Sequence, residues 1–153
     1  MTAQTITLTP AELLPHKPPM LLLTSCGTAD GECVTARCTI GEQCRLFRLS
    51  DGRYGTWMLI ELMAQTVGIY AGLKNREAGS APRIGFLLGA RKFTVHTPFL
   101  TEGDVIDLSA ECIFYADSGL PSQFDCRAYI TGREIASANL TVYQPQSTDA
   151  WKN

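Results

Sequence analysis

The stretch from Trp57 to Leu73, Trp-Met-Leu-Ile-Glu-Leu-Met-Ala-Gln-Thr-Val-Gly-Ile-Tyr-Ala-Gly-Leu, is apolar or small at almost every position and carries a single carboxylate, Glu61. It reads as a helix running to about Asn75, with Thr56 as its cap. A helix that is greasy on nearly all sides cannot lie on a sheet whose far face meets water. It must be enclosed, so the rest of the chain has to curl around it.

That remainder reads mostly as strand. Cys33 to Ile40 alternates, with Val34, Ala36 and Cys38 on one face and Thr35, Arg37 and Thr39 on the other. Val105 to Tyr115, Gln123 to Ile130 and Glu134 to Tyr143 are separated by the turn signals Ser118-Gly119-Leu120-Pro121 and Thr131-Gly132, which predicts an antiparallel meander. Arg83 to Ala90 leads into Lys92 to His96 as one bent strand. Met20 to Leu23 is a further strand candidate, with a turn expected over Gly27 to Gly31 and irregular chain over Gly41 to Gly55. Near the start, Thr9-Pro10-Ala11-Glu12 has the form of a capping box with proline at the first helical position. The prolines at 15, 18 and 19 end that helix at once. The expected architecture is α+β, one domain over residues 1–145 with a flexible tail over 146–153.

Composition narrows the function classes. With 45% hydrophobic and 18% charged residues the chain is globular, not disordered. A net charge of −2, with no basic run interleaved with aromatics, argues against a nucleic-acid partner. No apolar run is long enough to span a bilayer, and the first residues lack the basic start and apolar stretch of a signal peptide. The expectation is therefore a cytoplasmic protein without a membrane partner. The cysteines at 26, 33, 38, 44, 112 and 126 form no CxxC pair, and no histidine cluster accompanies them. They are expected to be small core residues, with no metal bound.

Chemistry points to Glu61. Glu61, Gln65, Gly68 and Gly72 share one helix face. Two readings fit that stripe. The glycines can permit close packing while Glu61 sits where the helix dipole favours an anion. Alternatively the stripe lines a slot in which Glu61 meets a ligand, Gln65 orients it and the glycines clear room for an extended chain. An unpaired carboxylate in a dry core must find partners or change its protonation, and acid–base catalysis exploits that situation. Of the two histidines, His16 is expected to brace its proline-flanked segment by hydrogen bonding, and His96 to lie near a strand end. Cys44 has no base near it in sequence. Asp51 stands in an Asp-Gly turn. The cations Lys74, Arg76, Arg83, Arg91 and Lys92 read first as scattered surface charges, with docking of an acidic carrier protein or binding of phosphate as the alternatives.

Two segments carry a family resemblance. Leu14-Pro15-His16-Lys17-Pro18-Pro19-Met20-Leu21-Leu22 resembles the Leu-Pro-His-Arg-x-Pro signature of bacterial 3-hydroxyacyl-[acyl-carrier-protein] dehydratases, and Glu61-Leu62-Met63-Ala64-Gln65 resembles their Glu-x-Met-Ala-Gln helix. Gly89-Ala90-Arg91-Lys92-Phe93 and the turn from Pro98 to Asp104 fit more loosely. Pro18-Pro19, Leu62 to Gly68 and Tyr143-Gln144-Pro145 are more similar to the divergent dehydratase-like proteins of aryl-polyene biosynthesis clusters.

The resemblance implies a hotdog fold, a curled antiparallel sheet wrapped around one long central helix. It implies pairing into a homodimer, or a heterodimer with a second hotdog dehydratase subunit. Substrates would ride on phosphopantetheine, with acyl carrier protein as partner and no cofactor bound. Glu61 then takes the catalytic acid position, and Gln65, Gly68, Phe47 and His16 fall at substrate-binding positions. In the family, the catalytic histidine lies in a Gly-His-Phe-Pro loop ahead of the helix. Here that loop reads Gln43-Cys44-Arg45-Leu46-Phe47-Arg48-Leu49-Ser50-Asp51 and holds no histidine. A partner subunit carrying the histidine would complete one full site. Three functions remain in view: dehydration through Glu61, thioester hydrolysis through Glu61 or Asp51, and acyl binding without catalysis.

Overall fold

The computed structural model describes residues 2–116 and 119–145. The proposed tail 146–153 and Ser118 of the predicted turn lie outside them. Seven strands form one antiparallel sheet: β1 (Gln4–Thr5), β2 (Ser25–Ala29), β3 (Cys33–Thr39), β4 (Phe86–Val95), β5 (Val105–Phe114), β6 (Ser122–Ile130) and β7 (Arg133–Tyr143). Their spatial order is β1-β2-β3-β5-β6-β7-β4. The meander of β5, β6 and β7 is as the alternation predicts, and β3 joins it by pairing Val34 with Ala110 and Cys38 with Ile106.

The long helix, α2 (Met58–Glu77), packs against β3, β5, β6 and β7. Met58, Leu59, Leu62, Met63 and Ile69 are each 0% exposed, which is what an all-round apolar helix requires of its surroundings. The inward residues of the strands, such as Val34, Ala36, Leu108, Ala110, Phe124 and Ala138, complete the core at alternate positions. Thr56 does not cap α2 through its side chain. Trp57 is the N-cap, without a side-chain bond, and the Thr56 carbonyl instead accepts from the Leu59 amide.

Two expectations about the first quarter are corrected. Met20 to Leu23 is not a strand, because its backbone groups are taken by a side chain of α2. Ser25–Ala29, which includes the start of the expected turn, is a strand. Gly27 belongs there because a Cβ would collide with Thr35 Oγ1, which accepts from the Thr28 amide at 2.8 Å. The short helix α1 (Pro10–Leu13) starts as its capping box predicts, with the Thr9 amide donating to Glu12 Oε1 at 3.3 Å.

All six cysteines are free thiols. Cys38, Cys44 and Cys126 are fully buried. Cys38 Sγ and Cys44 Sγ lie 3.8 Å apart and share a hydrogen bond. Burial pushes the Cys126 thiol up to about 12. These three are core residues as expected, whereas Cys26, Cys33 and Cys112 are only half-buried.

β4 stands at the edge of the sheet. It is kinked by bulges near Leu87–Gly89 and Arg91–Thr94, with Lys92 in the left-handed region at φ 54°. Phe86, Leu87, Leu88 and Phe93 are all exposed on it, beside Ile84. A long apolar edge of this kind invites pairing with another strand.

Candidate active site

Glu61 sits in the first turns of α2 and lines a cavity of about 140 Å³ between the helix, the segment after α1 and the ends of β4, β6 and β7. From α2 come Glu61, Ala64, Val67, Gly68, Ala71, Gly72 and Asn75. Leu13, Pro15 and His16 form the second wall; Phe86, Leu87, Phe124 and Val142 form the third. The floor is apolar and its two ends are polar.

Gln65 does not face this cavity. It is 0% exposed and turned toward the segment ahead of β2. Its Oε1 accepts from the amides of Leu22 (3.0 Å) and Leu23 (3.3 Å). Its Nε2 donates to the Met20 carbonyl (2.6 Å) and to Glu61 Oε1 (2.8 Å). One buried amide therefore clamps residues 20–23 to the helix and fixes the carboxylate. Every polar atom it buries is matched, as burial demands. The expected strand at 20–23 loses its backbone groups to this clamp.

The glycines serve both readings of the stripe. A Cβ at Gly68 would meet the Leu14 side chain, and one at Gly72 would collide with the Leu13 carbonyl. They let the leading segment approach α2, and both also border the cavity.

His16 lines the same cavity beside the carboxylate, its Nε2 3.7 Å from Glu61 Oε1. The two side chains are 31% and 28% exposed, so both remain reachable from the cavity. The expected hydrogen-bonding brace is absent. His16 Nδ1 is buried without a partner among the described residues, and Gln65 holds the segment instead.

The remaining candidates lie apart. Phe47 packs partly buried against the core and does not line the cavity. Asp51 is on an exposed turn, held by Arg53, whose guanidinium lies 2.6 Å away and keeps the Asp51 carboxyl below its ordinary range. Cys44 is fully buried, and His96 is exposed beyond β4.

The far end of the cavity was not anticipated as a site. Asn75, only 5% exposed, has its Oδ1 3.2 Å from the Gln144 amide. With its amide turned, the Gln144 oxygen takes that place and accepts from Arg83 Nε at 2.8 Å and Nη2 at 2.6 Å, so that its contact with the Asn75 side-chain amide is through the oxygen. A sequence signal for Asn75 exists: Glu61, Gly68 and Asn75 are spaced by seven and share a face. Arg83 and Gln144 sit at element ends, where no periodicity marks them. Among the described residues, no group of three or more His, Cys, Asp or Glu is placed to hold a metal ion. Likewise no helix among them is long and apolar enough to cross a membrane.

Comparison with known proteins gives this geometry a context. No curated protein matches the sequence. Among solved structures the chain is similar to one from the dehydratase heterocomplex ApeI:P of Xenorhabdus doucetiae, at 27% identity, covering 96% of this chain and 97% of that one with a TM-score of 0.88. A hypothetical thioesterase from Streptococcus pneumoniae TIGR4, in a structure with coenzyme A, is similar at 14% identity over 80% of this chain and 88% of that one, with a TM-score of 0.57. An HP0420 homologue from Helicobacter felis is similar at 9% identity over 89% and 88%, with a TM-score of 0.63. The last two likenesses show the fold alone, the hotdog. A family model described as ApeP-like, ApeP dehydratase, matches residues 8–153. The chain belongs to this ApeP-like family and is a hotdog protein of the dehydratase type.

Proposed function

We propose that the chain is the Glu61-bearing subunit of a dehydratase that removes water from a 3-hydroxyacyl thioester carried on the phosphopantetheine of an acyl carrier protein. The observation that carries this reading is the Glu61 carboxyl itself, fixed by Gln65 and lining a largely apolar cavity. Dehydration across C2 and C3 needs one group to take the C2 proton and another to protonate the departing hydroxyl. It also needs an apolar slot for the acyl chain. Glu61 supplies one of the two groups.

The exposed edge of β4 supports a second hotdog subunit as partner, and so does the similarity to a chain of a dehydratase heterocomplex. Pairing there would cover Phe86, Leu87 and Leu88 and wall in the cavity, which Phe86 and Leu87 already line. Thioester hydrolysis through Asp51 has less support, because Asp51 is engaged by Arg53 away from the cavity.

Hydration of a crotonyl thioester, followed by loss of enoyl absorbance with the chain alone and with an ApeI-type subunit, tests the proposal. Turnover at least about tenfold above background, raised by the second subunit, is the expected result. Release of free thiol without hydration would move the assignment to a thioesterase, and no turnover in either form would leave acyl binding alone.

A further inference from the structure

We propose that Asn75, Gln144 and Arg83 wall off the far end of the cavity and so set the longest acyl chain that the site accepts. The inference rests on the acyl-thioester reading above. It adds a substrate class, a long acyl chain lying extended along α2.

The cavity follows one face of the helix. Glu61, Ala64, Gly68, Ala71, Gly72 and Asn75 all line it. Glu61 and Asn75 are fourteen positions apart, nearly four turns and about 21 Å of helix. The leading segment runs along the same face in the opposite direction. A Cβ at Gly72 would meet Leu13, a Cβ at Gly68 would meet Leu14, and His16 lies beside Glu61. Between the two polar ends the helix side of this slot is apolar or small, which suits a carbon chain and offers it no hydrogen bond.

The far end is closed by groups that satisfy one another. Asn75 is 5% exposed, and its side chain meets Gln144. With its amide turned, Gln144 presents an oxygen that accepts from Arg83 Nε at 2.8 Å, from Arg83 Nη2 at 2.6 Å and from Asn75. That oxygen is filled from within the protein, so the cluster stands as a wall and not as an open acceptor. A methyl end driven past it would part a charge-assisted pair and leave buried polar atoms unmatched. The wall is also anchored. Arg83 stands just ahead of β4 and Gln144 just after β7, where Phe86 pairs with Tyr143.

This geometry sets a length. Helical side chains lean the same way, so the Glu61 carboxyl and the Asn75 amide stay about 21 Å apart. Van der Waals and hydrogen-bond contact at the ends leaves about 14–17 Å for carbon. An extended chain advances about 1.25 Å per bond, from bonds of about 1.5 Å and angles near 111°. Dehydration places C3 at Glu61, so about 11–13 carbons fit beyond it, an acyl chain of about 14–16 carbons in all.

Binding tests this apart from turnover. The protein in complex with its ApeI-type partner is titrated calorimetrically with S-alkyl pantetheine thioethers of roughly 8–20 carbons, each below its micelle concentration. Every methylene that enters the slot should tighten Kd about threefold. In wild type the gain should stop at about 14–16 carbons. Gln144→Ala removes the centre of the wall and should move that break at least about two carbons longer. Ala71→Leu fills the slot four positions before Asn75 and should move it about four or five carbons shorter. A Kd that keeps tightening to the longest probe overturns the inference, as does a break that stays in place in both folded variants. An ω-hydroxyl that tightens the limiting probe about tenfold would make the cluster a receptor and overturn it too. Crotonyl-thioester turnover on the same wild-type complex separates the two proposals. Turnover without a break sinks the length stop alone, and a break without turnover keeps the stop and sinks the dehydratase reading. No binding at any length sinks the stop.

Discussion

Glu61→Gln is expected to lose about a hundredfold or more of its dehydratase turnover while melting within a few degrees of wild type. The substitution keeps length and shape, and the new amide oxygen can still accept from Gln65 Nε2, the bond that now spans 2.8 Å. What disappears is the ability to give up or take a proton. The outcome is read from rates and thermal melts on the same samples. A fall in activity that only tracks the folded fraction would make Glu61 a structural anion near the start of α2 and sink the catalytic assignment. The carboxyl lies one turn inside the helix, where a surface charge gains about 0.3–1 kcal/mol at most, so a large stability loss is not expected.

Gln65→Leu should behave in the opposite way. Leucine fills most of the same volume but strands the Leu22 and Leu23 amides and the Met20 carbonyl, three groups that Gln65 now satisfies. Each unmatched buried group costs about 1–3 kcal/mol, and partial hydration of the exposed Met20 end relieves some of that. A net loss of about 2–4 kcal/mol is expected. In a chain of this size each kcal/mol lowers Tm by about 2–4 °C, so the melt should fall by roughly 5–15 °C. Residual activity should also drop, because Glu61 loses its only amide anchor among the described residues. A melt unchanged from wild type would show that residues 20–23 are held by something other than this clamp.

The contrast between these residues shows what a sequence can and cannot reveal. Glu61 was legible because a lone carboxylate in an apolar helix is an anomaly with few physical resolutions. The burial of α2 against the sheet was legible for the same reason, and alternation together with turn signals placed β3, β5, β6 and β7. Gln65 was seen on the same face, but its direction was not. Its amide is consumed by backbone more than forty residues away, and that competition also dissolved the expected strand at Met20 to Leu23. The strand at Ser25–Ala29 was hidden by Gly27, which reads as a turn residue until the Thr35 hydroxyl beneath it is seen. His16 was assigned a brace because prolines flank it. Nothing local reveals that the segment folds back along α2 and presents the ring to Glu61. The polar end at Asn75, Arg83 and Gln144 is built from the ends of three elements, and periodicity carries no information there.

The clamp at Gln65 has a consequence for how the chain can be watched at work. Leu22 and Leu23 belong to no strand, so their amides would ordinarily trade hydrogen for deuterium as fast as an open loop. Here both are tied to a side chain rooted in the most buried helix, and they should exchange only when that helix opens. The same side chain grips Glu61. Any molecule that steadies Glu61 from the cavity side should therefore slow deuterium uptake at two backbone positions it never touches. The loop becomes a built-in gauge of occupancy, readable by mass spectrometry on the unmodified protein.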